Sequence, residues 1–361
     1  MGKKIKLGIL GLMAGIALTL SACGGGGGGG GGTGDGQAVA DLSFDVKILQ
    51  SFLAGAFGAG IDNNNSGQVV GMSDNGFSIR AARWTLADAN PQPTALEPLA
   101  GGEYSAAYGI NDQGIAIGES EWDTRIVAAY WGAGETQATA LATLGSAGFS
   151  AAYSINEVGQ IVGEEVVDAE GNPVAIFWEN NGAAPVNLGT LGGEFSSAYF
   201  ISNDGAIVGE AEVASGGEVH AALWLPAAAA STYLPPVALP PLGGHIASVA
   251  FGIDGSGRVV GESQAADGSS HGVIWTVNTE GVVTTVQDLG RNTSLTGANT
   301  FDRVVGRSFD STDAAWGTIW NSGNPEDVKI INAPSSQAYA VNDTTQIVGM
   351  SESRAFVALP Q

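Results

Sequence analysis

The feature that most constrains this chain is a short step of two apolar residues and a glycine that returns seven times. The glycines are Gly71, Gly118, Gly163, Gly209, Gly261, Gly306 and Gly349, at intervals of 43 to 52 residues. A tryptophan follows each of the first six by 13 to 15 residues: Trp84, Trp131, Trp178, Trp224, Trp275 and Trp320. In the seventh copy Ala358 holds that place. A period of this length marks an array of supersecondary units, none of which can bury its apolar face without its neighbours.

Each unit reads as four short strands. Ser105 to Ile110 is small and aromatic, and a turn follows at Asn111 to Gly114. Ile115 to Gly118 and Val127 to Trp131 read as the second and third strands. The fourth is a Leu-rich element, clearest at Val186 to Gly193 and repeated at Ala140 to Gly145, Ala238 to Gly244 and Val286 to Gly290. Turn residues between short alternating runs are a hairpin signal, and four strands per repeat of ~40–50 residues is the blade pattern of a β-propeller. The last copy stops after its third strand, and an unmatched strand, Phe44 to Leu49, precedes the first copy. Pairing the two would close a ring and remove two open sheet edges. The expected fold is therefore all-β: one seven-bladed propeller of four-stranded blades over residues 43–361, with the N-terminal strand completing the last blade. The donated strand would be outermost and the Ser/Ala/Gly/Tyr strand innermost.

The array resembles the HAF family of extracellular repeats. The matching residues are Asn187 to Gly193, Ser197 to Tyr199, Ile207 to Glu210 and His220 to Trp224. The resemblance implies export and supplies no functional residues. This chain departs from the family's namesake His-Ala-Phe triplet, because the His position holds Arg80, Val127, Val174, His220, His271, Trp316 and Arg354.

The N-terminus carries its own message. Lys3, Lys4 and Lys6 precede an apolar stretch from Leu7 to Leu20, which is short for a membrane span. It ends in Leu20-Ser21-Ala22-Cys23, which resembles the lipobox of bacterial lipoproteins. Residues 1–22 are read as a signal peptide. Cys23 is read as the lipidation site, and residues 23–42 as a tether containing the glycine run Gly24 to Gly32. A Gly-rich chain of that length reaches roughly 25 Å, from ~5–6 Å × √n. Cys23 is the single cysteine, so no internal disulfide is available. The expected location is the cell envelope: an outer membrane, facing periplasm or surface, reached through the lipid anchor.

Charge narrows the partners. Thirteen basic residues face 36 acidic ones for a net charge of −23, and three of the thirteen lie in the leader. A surface of that sign repels phosphate backbones, which argues against nucleic acid. The remaining partner is a protein or glycan bound by a monomer.

No catalytic, cofactor-binding or metal-binding set is assigned. His220, His245 and His271 come from two blades and one connection, whereas zinc needs three or four converging ligands. Asp62 to Ser66 and Asn111 to Gly114 are oxygen-rich enough to suggest calcium, but those residue types are also what tight turns require. Glu119, Glu164, Glu210 and Glu262 recur after the second-strand glycine, with Met72, Arg307 and Met350 in the other copies. They are expected to be exposed strand-end acids on separate blades rather than a glycosidase pair. The tryptophans are expected between blades. The insertion at 226–241, with its Ala227 to Ala230 and Leu234 to Pro241 runs, is expected to be a linker. The leading expectation is a non-enzymatic binding or scaffold lipoprotein. The alternatives are a carbohydrate- or peptidoglycan-active enzyme with a site at the channel and a calcium-supported adhesin.

The anchor is directly testable. Cys23→Ser is expected to abolish incorporation of radiolabelled palmitate and leave uncleaved precursor or release the body. Normal labelling of that variant would rule the lipobox out.

Overall fold

The computed structural model describes residues 43–361 except 146–147, 169–170, 215–216, 229–231, 255, 300, 302, 311, 313, 322–323 and 331–334. The signal peptide, Cys23 and the glycine tether lie outside the described residues. Among the described residues no helix is long and apolar enough to cross a membrane.

Seven four-stranded antiparallel sheets stand around a central channel. The inner strands, blade 1 to blade 7, are Gly58–Asn63, Ser105–Ile110, Ser150–Ile155, Ser196–Ile201, His245–Ile253, Thr293–Ala298 and Ser336–Val341. Each inner strand touches the inner strands of both neighbours, and that of blade 7 touches that of blade 1. Blade 7 takes its outer strand, Phe44–Ile48, from the other end of the chain. The pairing is antiparallel, with Phe44 opposite Pro360 and Ile48 opposite Phe356. The ring is closed as the spare strand implied.

Each second strand pairs with the third so that the residue two places before the glycine faces the tryptophan. Ile161 lies opposite Trp178 and Ile347 opposite Ala358. Trp84, Trp131, Trp178, Trp224 and Trp275 are wholly buried and Trp320 nearly so. Four of the indoles also carry a repeated inter-blade bond, whereas the Trp224 Nε1 is buried without a partner among the described residues. Trp84 Nε1 donates to the Gln50 carbonyl at 2.8 Å, Trp131 to Glu97 at 2.9 Å, Trp178 to Ala142 at 2.7 Å and Trp275 to Pro240 at 2.9 Å. Each acceptor follows the buried leucine at the outer edge of the preceding blade: Leu49, Leu96, Leu141 and Leu239.

That leucine corrects the reading of the Leu-rich element. In blades 2 to 4 the element pairs only in its first residues, Thr139–Ala140, Val186–Asn187 and Val237–Leu239, and the rest crosses to the next blade, whereas in blade 5 Val286 to Gly290 lies wholly within the outer strand Val283–Arg291. Its leucine plugs the gap and its next carbonyl caps a tryptophan. The repeated pattern thus reflects a connection more than a strand in blades 2 to 4 and a strand in blade 5.

A second lock sits at the start of the inner strands. Ser105 Oγ accepts the Ala81 N–H at 3.0 Å and donates to the Leu96 carbonyl at 2.9 Å, both in the preceding blade. Ser150, Ser196, Ser248, Thr293 and Ser336 accept the equivalent N–H. The insertion at 226–241 is more than a linker. Pro226 bridges Tyr233, whose ring packs edge-on to Phe177 at 5.0 Å and whose hydroxyl donates to the Gly205 carbonyl.

Removing residues 43–49 would take Phe44, Val46, Ile48 and Leu49 out of their clusters and expose Phe356 and Ala358. Fully burying one such large apolar side chain contributes about 1.5–3 kcal/mol, so losing several rivals the stability of a typical domain. The truncated chain is expected to aggregate or melt far below the full chain in thermal scans. Cysteines at Asp45 and Leu359, with Cys23 replaced by Ala, are expected to be bridged within one chain by a short thiol cross-linker. A stable truncated monomer would refute the closure.

Candidate functional site

In every blade the inner strand carries a β-bulge, and the bulged residue is the one that faces the channel. The register slips around Ile61, Tyr108, Tyr153, Tyr199, Phe251, Thr296 and Tyr339 in blades 1 to 7. A bulge re-aims a side chain, and here it aims five aromatic rings inward. The sevenfold glycine follows from it. At Gly163 a β-carbon would overlap the Ala151 carbonyl oxygen, two residues before the bulge, and the other six glycines face the same obstruction.

Neighbouring rings form an arc. Centroids are 5.7 Å apart for Tyr108 and Tyr153, 5.8 Å for Tyr153 and Tyr199, and 5.7 Å for Tyr199 and Phe251. These rings bound a cavity of about 150 Å³ that runs from the bulges toward the hairpins joining inner and second strands. Asp62 and Ser154 supply polar groups to it, and Phe200, Ala298 and Ala340 supply apolar wall.

Behind the rings lie the recurrent glutamates, and the expectation of exposed acids fails there. Glu119, Glu164 and Glu210 are all buried. Tyr153 Oη donates to Glu164 at 2.9 Å, Tyr199 Oη to Glu210 at 2.6 Å and Tyr104 Oη to Glu119 at 2.6 Å. Glu262 is half-buried and accepts from Ser294 of the next blade. The acids stand on separate blades, but at the axis of a ring separate blades converge. Burial pushes Glu164 up to about 7 and Glu210 up to about 8, and it raises Glu119 as well. Burial and the neighbouring glutamates drive the Tyr153 and Tyr199 hydroxyls well above their ordinary range. In blade 6 the acid position holds Arg307, whose Nη1 reaches Gln337 Oε1 at 3.4 Å.

The hairpin turns form belts. Asn64 Oδ1 accepts the Gln68 N–H within its own turn at 2.8 Å, and its Nδ2 donates to the Asn111 carbonyl of the next blade at 2.9 Å. Asn111 reaches Asn156, Asn156 reaches Ser202, Asn299 reaches Asn342, and Asn342 crosses the closure to Asn64. An outer belt runs beside it. The N–H of Asp343 meets Asn65, that of Asn65 meets Asp112, that of Asp112 meets Glu157, and that of Glu157 meets Asn203. Residues 63 to 66 and 111 to 114 thus serve as turns and blade clamps.

Asp62 stands apart from the belts. It follows the bulge of blade 1, and its Oδ2 accepts the Ile110 N–H at 2.9 Å. Burial raises its carboxyl to about 6, against the opposing amides of Ile110 and Asn63. The equivalent positions in blades 2 to 7 are Gly109, Ser154, Phe200, Gly252, Gly297 and Ala340. The sequence presents Asp62 only as the start of the oxygen-rich Asp62 to Ser66 run, because its repeat position becomes visible only with the bulge register.

The histidines lie elsewhere. His245 and His271 pack edge to face at 4.8 Å, closer than the sequence suggested, and His271 Nδ1 lies 2.9 Å from Asp288. His220 pairs with Glu218 instead. Among the described residues no group of three or more His, Cys, Asp or Glu is placed to hold a metal ion.

No protein-family model matches the chain, and no curated protein sequence does. Solved propellers do. Puromycin hydrolase superposes with a TM-score of 0.57 at 15% identity, over 85% of this chain and 52% of the hydrolase. The chain therefore spans about half the length of that enzyme. The WD40 domain of Toxoplasma gondii coronin gives 0.52 at 14%, over 89% of this chain and 87% of its own. The WD40 propeller domain of Doa1 gives 0.50 at 14%, over 89% and 98%. At these identities the likeness is one of fold.

The buried acids predict a pH response. Between about 4.5, where unfolded glutamate titrates, and about 7 to 8, the folded state binds more protons than the unfolded one. Their contribution to stability is thus full at acid pH and is lost as pH rises through that window. A Glu164→Gln, Glu210→Gln variant keeps the acceptor oxygens without the titration. Its Tm is expected to exceed that of the parent by ~2 °C or more at pH 9 and to converge with it near pH 5. A difference that does not shrink on acidification would contradict the raised carboxyls.

Proposed function

We propose that the chain is a non-enzymatic binding module whose ligand seat is the cavity of the central channel. The observation that carries this reading is the set of five inward aromatic rings, each placed by a bulge that costs the blade a glycine. A concave, mainly apolar site with few polar groups is the usual form of a small-molecule pocket. The reading against a glycoside-cleaving enzyme rests on the acids. That chemistry takes two carboxyl groups flanking the bond, whereas Glu164 and Glu210 lie behind the tyrosines and Asp62 is the one carboxylate lining the cavity among the described residues.

We place the module in the cell envelope, as an exported lipoprotein of HAF-like repeats anchored through Cys23. The lipobox-like Leu20 to Cys23 and the repeat motifs support this. The tether would let a monomeric disc work near a membrane without lying on it. Its acidic surface favours ligands other than nucleic acid.

A ligand-observed NMR screen of small fragments tests the seat. Hits are expected to compete with one another and to be lost in Ala340→Trp, which fills the cavity, provided its melting curve stays close to the parent's. Hits that survive the filled channel, or a screen without hits, would refute the seat.

A further inference from the structure

We infer that the channel cavity receives a small organic cation, an ammonium or quaternary ammonium group on a compact apolar body, held by Asp62 against the rings of Tyr108, Tyr153, Tyr199, Phe251 and Tyr339. This rests on the channel being the ligand seat and adds the chemistry of the ligand.

The cavity offers three things. The first is ring surface. The hydroxyls of Tyr153 and Tyr199 are bonded to Glu164 and Glu210, that of Tyr108 is buried beside Tyr104 and Glu119, and that of Tyr339 is buried without a partner among the described residues. What the tyrosines present to the cavity is therefore the ring. Aromatic faces attract cations through their quadrupole, and more strongly in a site shielded from water. The second is a single charge. Apart from the tyrosines, Asp62 is the one ionisable residue in the lining among the described residues. A carboxylate set in apolar surroundings without a cation beside it is costly unless something pairs with it. The third is size. About 150 Å³ admits a body of benzene's bulk.

The polar inventory argues against a neutral sugar. Sugars need many donors and acceptors, and this cavity has few left to give. Thr296 Oγ1 already donates to the Ala338 carbonyl at 2.8 Å, and Ser154 Oγ accepts the Ile201 N–H at 3.3 Å. The repeat adds a further argument. Six of the seven residues following the bulge are uncharged, and shared packing accounts for small side chains there. An acid in blade 1 alone is not explained by the demands common to all blades.

Isothermal titration of the full chain with choline and with its neutral carbon isostere, 3,3-dimethylbutan-1-ol, tests the inference without any variant. Choline is expected to bind at least ~10-fold more tightly than the isostere. Asp62→Asn, which keeps an acceptor for the Ile110 N–H, is expected to lower choline affinity at least ~10-fold and leave the isostere nearly unchanged. A short peptide with a central lysine separates sources: tighter binding than choline assigns the cation to a protein partner, and weaker binding to a free small molecule. Equal binding of choline and isostere, or choline binding indifferent to Asp62→Asn, would overturn the cation while leaving the channel seat in place. Failure of choline to bind while neutral fragments occupy the channel does the same. Failure of all probes to bind there would overturn both readings.

Discussion

A carbonyl oxygen standing where a β-carbon would be is the constraint from which the rest of this molecule follows. In each blade that oxygen belongs to the residue two places before the bulge, and the glycine facing it is the only residue that leaves room. The bulge turns one side chain per blade out of the sheet and into the channel. Without it, strict alternation would send that residue to a blade face. The glycine step therefore serves the channel as much as the blade. Its seven copies mark seven places where the backbone is bent to present a side chain inward.

Blades bent this way still have to be held in a ring. Every recurring lock runs between blades. Tryptophan N–H groups reach back to the crossover of the preceding blade, inner-strand serines reach back to its third strand, and asparagines reach forward to the next turn. No blade carries its own complete set, so the array is stable only when it closes. The strand Phe44–Ile48 makes that closure covalent in effect, because it ties the last blade to the chain that leads into the first. The Asn342 to Asn64 bond continues the asparagine belt across the same joint. Closing the ring also gathers at the axis what the sequence spaces about 45 residues apart, and this is why the glutamates meet there.

The periodic part of the fold was legible in the sequence because periodicity is what packing between equivalent blades imposes. Trp84 and its counterparts are placed by a shared pocket, and Ala358 fits the same register without the ring. Leucine, asparagine and glycine together look like a strand and turn, yet only the first residues of the Leu-rich element pair in blades 2 to 4, while in blade 5 the strand reading holds. Glu164 misled for a different reason. An acid at a strand end is usually solvated, and nothing local tells that Tyr153, eleven residues earlier, folds over it. The bulge was invisible because it leaves no gap in the spacing. It shows only as a glycine paired with a small residue. Asparagine in a turn has a sufficient local explanation, so its second bond, to a residue of the next blade, could not be read from the chain.

Asymmetry, finally, is where a repeat protein keeps its function. The asparagine belt runs without a break from blade 6 through blades 7, 1, 2 and 3 to blade 4. It lapses where Ser202 and Asp254 replace asparagine; Asp254 has no amide to donate and turns to Arg258 instead, at 2.6 Å. The long insertion falls on that same side of the ring, within blade 4, whose outer strand Val237–Leu239 it contains. Asp62 lies near the middle of the unbroken arc. Its neighbour Asn63 is bonded to the Gln346 carbonyl of blade 7 and Asn64 to Asn111 of blade 2, while its own carboxylate holds the Ile110 N–H. A charge that must meet a ligand in a narrow channel works best when its position is set beforehand by its surroundings. The inner strand of blade 1, which carries the acid, is clamped from both sides at that point.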